Sequence, residues 1–298
     1  MSKTIIDLAK IIIAVRETIP ANRPIHLFGC GHPMLFPMSI ALGVDMFDSA
    51  AYALFARDGR LLTPDGTVRI ENLKEWPFAS RILNGISPSE VREMEDTERT
   101  NLLARYNLEI TQVELARCRE AVRAGKIWAL VEQRSHSSPE LREAFLFLKD
   151  RLIQNNDFSS SEIIRSSSPI RSGSERWTSD SFSRPHLLHA NTLIRERWTP
   201  PLKNWKGESM HEPNILLIKS GRSPWRDSVK SDIIRALSKN PNQIPIIQTP
   251  KGLLPFDLED WAPLCHIQAF DSIWPSIPSP SDESLIDLGL YASSLSIL

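Results

Sequence analysis

An α/β fold in two domains is what the sequence predicts, on three observations. A short apolar run, a Gly-rich turn, a buried helix and a second apolar run follow one another between Ile25 and Asp48, the βαβ rhythm of parallel α/β folds. A second strand, helix, strand succession runs from Asn214 to Gln248, and a serine-rich stretch over 157–184 lies between the two. With 298 residues the chain is long enough for two cores.

Taken in order, residues 4–18 place Ile5, Leu8, Ile12 and Val15 at helical spacing, and Pro20 and Pro24 stop that helix. Residues 25–28 (IHLF) read as a strand that delivers the turn Gly29-Cys30-Gly31-His32-Pro33. Met34 to Leu42 is apolar enough for a buried helix ended by Gly43, and Val44 to Asp48 is the next strand. From Ser87 to Leu148 the pattern is helical: Ser87-Pro88-Ser89-Glu90 begins like a capped helix, and Thr111 with Glu114 looks like a second start. Asn214–Ile218, Ser228–Leu237 and Ile244–Gln248 read as strand, helix and strand, and Ser284–Leu298 as a loosely attached final helix. The expected domains are 1–150, a linker over 151–184, and 185–298.

Composition narrows the classes of function. Hydrophobic residues make up 41% and charged residues 24% of the chain, as in globular proteins. Apolar runs such as Ile11 to Val15 meet charge well before the roughly 20 residues of a membrane span. No secretory pattern follows Lys3 and Asp7, so a cytoplasmic protein with no membrane partner is expected. The net charge of −1 gives no bulk attraction for nucleic acid, and any RNA contact must be a local patch. Cys30, Cys118 and Cys265 are too scattered for a disulfide framework or a thiolate knuckle.

The stretch with most chemistry is Pro24 to Thr67. Its strand ends bring Gly29, Gly31 and His32 beside Asp48, Ser49 and Tyr52, where parallel sheets build their sites. Bare glycines let a flat base lie against the backbone, and a carboxylate at the neighbouring strand end can attack or stabilise an anomeric carbon. The same features occur in ordinary loops, and physics alone leaves both readings open. Asp45 is a supporting residue or a turn cap, with Arg57 or Arg60 as possible ion partners. In the second domain Arg222, Trp225, Arg226 and Lys230 form a candidate RNA patch, guanidinium and ammonium for phosphate and indole for an unpaired base; a solvated helix start is the alternative. The run Arg117, Arg119, Arg123, Lys126 reads as a solvated face balanced by Glu114 and Glu120, and the adjacent Cys265-His266 pair points to opposite faces if extended.

HLFGCGHPMLFPMSIALGVDMFDSAAYALFARDGRLLTPDGT, and after it EMEDTERTNLLARYNLEITQVELARCREAVRAGKIWALVEQRSH, resemble the second half of the catalytic barrel of archaeal tRNA-guanine transglycosylases over residues 1–148. The resemblance implies the C-terminal half of a TIM-barrel-like domain, with Asp48 of the FDSAAY block as the nucleophile that links covalently to ribose. It makes Gly29 and Gly31 the lining of a deazaguanine pocket, with His32, Asp45, Ser49 and Tyr52 around it. It also implies that further barrel strands, an acid/base aspartate and a PUA-type tRNA-binding domain come from a protein partner.

Two departures shape the expectation. Where the family carries three cysteines and a later histidine for structural zinc, this chain reads WPFASRILNG over Trp76–Gly85 and Tyr106-Asn107-Leu108. Without thiolates no zinc is expected, and no other cofactor is implied. That loss points to the paralogous archaeosine synthases, whose post-barrel domain ANTLIRERWTPP, NILLIKSG and IIQTPKGLLPFDLEDWAPLCHIQAFDSIW resemble. There a loop cysteine adds to a nitrile; here the loop from Lys219 to Asp232 has only Ser220 and Ser228, and Asp232 at the histidine position. The expected function is archaeosine-pathway modification of tRNA, the alternatives being a non-catalytic tRNA- or partner-binding subunit and base exchange completed by a partner.

Overall fold

The computed structural model describes residues 4–20, 22–154, 175–210, 214–221, 225–250, 252–258, 267–269 and 295–297. The chain forms two compact units, Met1–Ser168 and Pro169–Leu298.

The first unit opens with α1 (Ile5–Thr18), whose start is fixed by a capping box between Thr4 and Asp7. Strand β1 (His26–Phe28), a 3-10 turn (Pro33–Leu35), α2 (Phe36–Ala41) and strand β2 (Met46–Asp48) follow. The strands pair in parallel with His26 opposite Met46 and Phe28 opposite Asp48, so the βαβ unit read from the sequence is present. Helix α3 (Ala51–Arg57) leads to strands β3 (Arg60–Thr63) and β4 (Gly66–Arg69), which form an antiparallel hairpin instead of extending that parallel sheet. Four helices complete the unit: α4 (Pro88–Glu93), α5 (Asp96–Arg123), α6 (Ile127–Arg134) and α7 (Pro139–Gln154). Ser87 and Glu90 cap α4 as expected.

Thr111 does not start a helix. It lies inside the 28-residue α5, and its hydroxyl donates to the Asn107 carbonyl one turn back at 2.8 Å. A threonine satisfied within its own helix gives the same sequence pattern as an N-cap, and the continuous buried face of Leu103, Tyr106 and Ile110 keeps the helix unbroken. That face packs on Ala56, Leu61, Ile70, Leu83 and Val91.

Polar side chains tie this core together. Asn107, fully buried, accepts the Leu62 N–H at 2.7 Å and donates to the carbonyls of Tyr52 at 3.0 Å and Arg60 at 3.1 Å. Arg134 is buried with Glu114 at 2.7 Å and also pairs with Asp65 in the hairpin turn. The segment from Trp76 to Ile86 is held by the Trp76 indole on the Ile86 carbonyl at 2.6 Å and by Glu109, which receives the Ser80 hydroxyl and the Arg81 N–H.

In the second unit, β5 (Glu175–Trp177) pairs in parallel with β9 (Ile267–Ala269), and α8 (Pro185–Arg197) follows. Strands β6 (Asn214–Lys219), β7 (Gln243–Thr249), β8 (Gly252–Pro255) and β10 (Leu295–Ile297) make a sheet in the order β10-β6-β7-β8, with α9 (Trp225–Lys239) linking the parallel β6 and β7. Its core gathers Ile215, Leu217, Trp225, Ile233, Ile246 and Leu254.

Two expectations for this unit change. Residues 175–184, read as linker, contain β5 and a 3-10 turn at Ser181–Ser183 in which Asp180, Ser181 and Ser183 are buried. Serine there satisfies turn N–H groups, as when Ser181 Oγ accepts the Thr178 N–H at 2.8 Å, and this use is indistinguishable by composition from a solvated linker. Residues 295–297, read as the end of a helix, form a strand beside β6, because the edge of β6 offers unpaired backbone groups. The rest of that stretch, like Cys265-His266, lies outside the described residues. No helix among the described residues is long and apolar enough to cross a membrane.

Replacing Asn107 by Ala leaves the Leu62 N–H and the Arg60 carbonyl without their partner in the core and should destabilise the first unit by about 3 kcal/mol, read from urea unfolding followed by circular dichroism. The hydrogen bond from Ser80 first, then those from the Arg81 and Ile82 backbone, hold the Glu109 carboxyl below its ordinary pKa of 4.5. A lowered folded-state pKa contributes stability above the ordinary value, which is lost as pH falls through the folded one. Glu109→Gln should therefore be less stable than the parent at pH 7, with the difference closing in acid; an equal difference at pH 7 and pH 3 would contradict this role.

Candidate active site at the ends of β1 and β2

Alternation along β1 and β2 decides what the site offers. Leu27 and Phe47 turn to one face, while His26, Phe28, Met46 and Asp48 share the other and are exposed. On the inner side Phe47 meets Phe36 of α2, ring centroids 4.7 Å apart, which anchors the strands to the helix layer. Asp48 thus stands at the carboxyl end of β2 with its side chain 49% exposed.

The carboxylate is oriented by its neighbours. The Gly29 N–H donates to Asp48 Oδ1 at 3.1 Å and to the Asp48 carbonyl at 3.0 Å. Asp48 Oδ2 lies 3.9 Å from His26 Nε2. Gly29 adopts φ of 77°, a left-handed conformation that glycine takes without strain and that allows this approach. Gly31 is required for a different reason: a Cβ there would sit 2.2 Å from Ser49 Cβ. The two glycines, Asp48 and Ser49 therefore form one contiguous group, as read from the sequence. Ser49 Oγ accepts the Ala51 N–H at 3.0 Å and starts α3, and the Tyr52 ring on that helix remains partly exposed.

His32 and Asp45 serve the scaffold. His32 Nδ1 accepts the Met34 N–H at 3.3 Å, and its ring stands edge-on to Phe55. Burial drives its pKa down to about 4, so it is neutral at pH 7 and supplies no positive charge. Asp45 Oδ2 accepts the Ile25 N–H at 2.8 Å and clamps the start of β1 to β2; the ion partner expected from the arginines is not its role, since Arg60 pairs with Asp58 at 2.5 Å. Burial lifts the Cys30 thiol to about 11, which makes it a poor nucleophile.

His26 and Phe28 were not singled out from the sequence, although the alternation of β1 carried the signal. Both lie two positions or fewer in register from Asp48. Phe28, 81% exposed, presents a flat apolar ring beside the carboxylate, the arrangement that stacking of a planar base requires. A half-exposed carboxylate held by one N–H, with an imidazole 3.9 Å from its second oxygen and an aromatic ring in the neighbouring strand position, can act as a nucleophile or stabilise a developing positive charge.

The residues present do not fit a zinc ion. Trp76–Gly85 offers no thiol, Ser80 is engaged with Glu109, and the Asn107 amide is used on the backbone of α3 and β3. Among the described residues no group of three or more His, Cys, Asp and Glu side chains converges as a metal site.

The RNA patch read in the second unit is not assembled as expected. Trp225 is fully buried in the core of that unit and cannot stack on a base; at the first turn of α9 it faces the sheet, in line with Val229 one turn on. Lys230 is exposed, Arg222 lies outside the described residues, and Arg226 is described for its backbone only. Ser228 Oγ donates to the Trp225 carbonyl at 2.7 Å, so that hydroxyl is engaged locally. The basic run of α5 is a helix face with internal pairs, including Arg123 with Glu120.

Residues 3–140 match the family model described as Queuine tRNA-ribosyltransferase. A tRNA-guanine(15) transglycosylase of Methanococcus aeolicus is 34% identical over 269 residues, which cover 87% of this chain and 36% of that protein. Proteins of the same description from Thermococcus onnurineus and Thermococcus kodakarensis are 42% and 45% identical over 152 and 139 residues, or 26% and 24% of their lengths. The chain thus spans about a third or less of the length of these relatives, and the Methanococcus likeness runs past the first unit. Residues 3–140 of the first unit thus carry a segment of the archaeal tRNA-guanine transglycosylase superfamily.

Proposed function

We propose that the chain modifies tRNA at a guanine-type nucleotide, with Asp48 as the nucleophile. The observation that carries this reading is the Asp48 carboxylate, half exposed, oriented through Oδ1 by Gly29 and flanked by the exposed Phe28 ring. In this chemistry an oxygen of Asp48 attacks C1′ of the ribose, the bond to the base breaks with its electrons passing to the base, and an acid protonates the departing nitrogen. A deazaguanine then displaces the carboxylate from the same carbon. Gly29 and Gly31 line the base pocket, with Phe28 and Tyr52 at its margin. The names of the relatives, tRNA-guanine(15) transglycosylases, support the base-exchange form of the reaction.

The first unit then corresponds to the second half of a TIM-barrel-like domain. Its two-stranded parallel sheet needs further strands, since parallel sheets are covered on both faces. We assign those strands, the acid/base group and a PUA-type RNA-binding domain to a polypeptide that completes the site, in the cytoplasm.

An archaeosine synthase-like role is the second reading, favoured by Trp76–Gly85, which carries none of the zinc thiolates of the base-exchange enzymes. Against it stands the β6 to α9 connection, where Ser220 and Ser228 take the place of a thiol nucleophile.

Denaturing electrophoresis after incubation with guanine-containing tRNA, in the presence of the completing polypeptide, tests the first reading. A covalent protein–RNA adduct should form and be abolished by Asp48→Asn; an adduct that survives this change would refute the role of Asp48. Mass spectrometry of tRNA nucleosides from cells lacking the gene separates the two readings. Loss of archaeosine together with its nitrile precursor supports base exchange, and accumulation of the precursor supports the synthase step.

A further inference from the structure

We infer that the turn from Lys203 to Gly207 is a contact for single-stranded RNA, in which Trp205 stacks on an unpaired base and Lys203 and Lys206 meet the flanking phosphates. This surface lies in the second unit, away in sequence from Asp48 and from the buried Trp225.

The turn presents a large aromatic ring to solvent on a rigid support. Trp205 is 61% exposed and its neighbour Leu202 82%. Its Nε1–H donates to the Leu237 carbonyl at 3.4 Å, which pins one edge of the indole to the last turns of α9. Lys206 Nζ stands over the ring, 5.3 Å from its centroid. A cation on one face leaves the opposite face for a base and raises the affinity of the ring for a polyanion.

Beneath the ring, Asn204 fixes the backbone. Its Oδ1 accepts the N–H groups of Lys206 and Glu208, each at 3.0 Å, while Nδ2 donates to Glu208 Oε2 at 2.9 Å and Asn242 Oδ1 at 3.1 Å. The bridge between Lys203 and Ser209, the bond from the Asn204 N–H to the Glu208 carbonyl at 2.8 Å and Gly207 at φ of 84° close the turn. An exposed tryptophan has no folding reason for so much support, because burial and not exposure rewards its area. A preformed platform lowers the ordering cost of binding. Glu208, the acidic group in the turn, is drawn to Asn204. Lys203 and Lys206 are the cations of the turn, and Lys239 ends the helix whose Leu237 carbonyl holds the indole; a phosphate backbone is the polyanion that adjacent cations attract.

The test is fluorescence anisotropy of the full chain with a labelled oligouridine of about ten nucleotides. Trp205→Ala should weaken binding by about fivefold or more, since stacking contributes about 1–3 kcal/mol per base, and Trp205→Phe should restore most of it. The Lys203→Ala/Lys206→Ala double variant should lower the slope of log affinity against log salt by about 1.4, for two phosphates on a single strand. Equal binding by Trp205→Ala and the parent, a parent that does not bind, or a double variant with the parent's salt slope would overturn the proposal; protein-only partners at this face would give the second of these. Thermal melts check that the exposed-site variants stay folded. Oligouridine holds no guanine to exchange, and Asp48→Asn should bind it as the parent does, so this contact and the role of Asp48 fail independently.

Discussion

The architecture around Asp48 depends on one buried amide. Asn107 projects from the middle of α5 and uses both ends of its side chain on the backbones of α3 and β3, at Tyr52, Arg60 and Leu62. Helix α3 begins at the carboxyl end of β2, so the amide fixes where the chain goes immediately after Asp48. An apolar residue of similar size would fill the space and leave the Leu62 N–H and the Arg60 carbonyl buried without this partner, a cost larger than the net value of a formed hydrogen bond. Directional bonds set position to a few tenths of an ångström, where apolar packing alone tolerates sliding.

A second polar connection, of another kind, reaches the hairpin. Arg134 and Glu114 are both buried and pair at 2.7 Å. Removing charges of this sort from water costs several kcal/mol per ion, which their attraction only offsets when the geometry is good. Such a pair is a weak source of stability but a strong source of specificity, because any other packing of α5 against α6 strands a charge. Asp65, with its exposed side chain in the β3–β4 turn, takes the remaining reach of the guanidinium and receives the Ser137 hydroxyl at 2.9 Å. The hairpin that leaves the parallel sheet is tied to the helix layer at its tip by charge and at its base by Asn107.

These links explain what the sequence disclosed. Helical spacing exposed α1, apolar runs bounded by glycine and proline exposed β1, α2 and β2, and the Gly29, Gly31, Asp48 group was legible as glycines and a carboxylate at adjacent strand ends. Thr111 misled because a hydroxyl satisfied by the carbonyl four residues earlier and a helix cap share one pattern. Trp225 misled for a related reason: neighbouring basic residues suggested an exposed indole, while the helix phase that sends it inward with Val229 and Ile233 becomes decisive only once the sheet beneath is known. Asn107 stood out in the sequence only at the family's histidine position, with no signal of its role in the core. Its role rests on partners 45 to 55 residues away, and an asparagine within a helical run otherwise reads as a solvated position.

The face that makes Asp48 available is carried on a small sheet with packing shown on one side. A parallel pair of three-residue strands is below the size at which a sheet stands alone, and it is held from one side by Phe36 and Phe47. On the other side Phe28, Met46 and Asp48 face outward together. A surface that covered this side completely would bury the Phe28 ring and the Met46 side chain but would also strip the Asp48 carboxylate of water, a cost offset only where that surface supplies hydrogen-bond donors. Under the proposed function, whatever extends the sheet would cover its edges and leave a cavity over the strand ends, with donors on the cavity wall. Closure around a cavity satisfies both demands, since it buries the strand edges while keeping one oxygen of Asp48 open to a substrate.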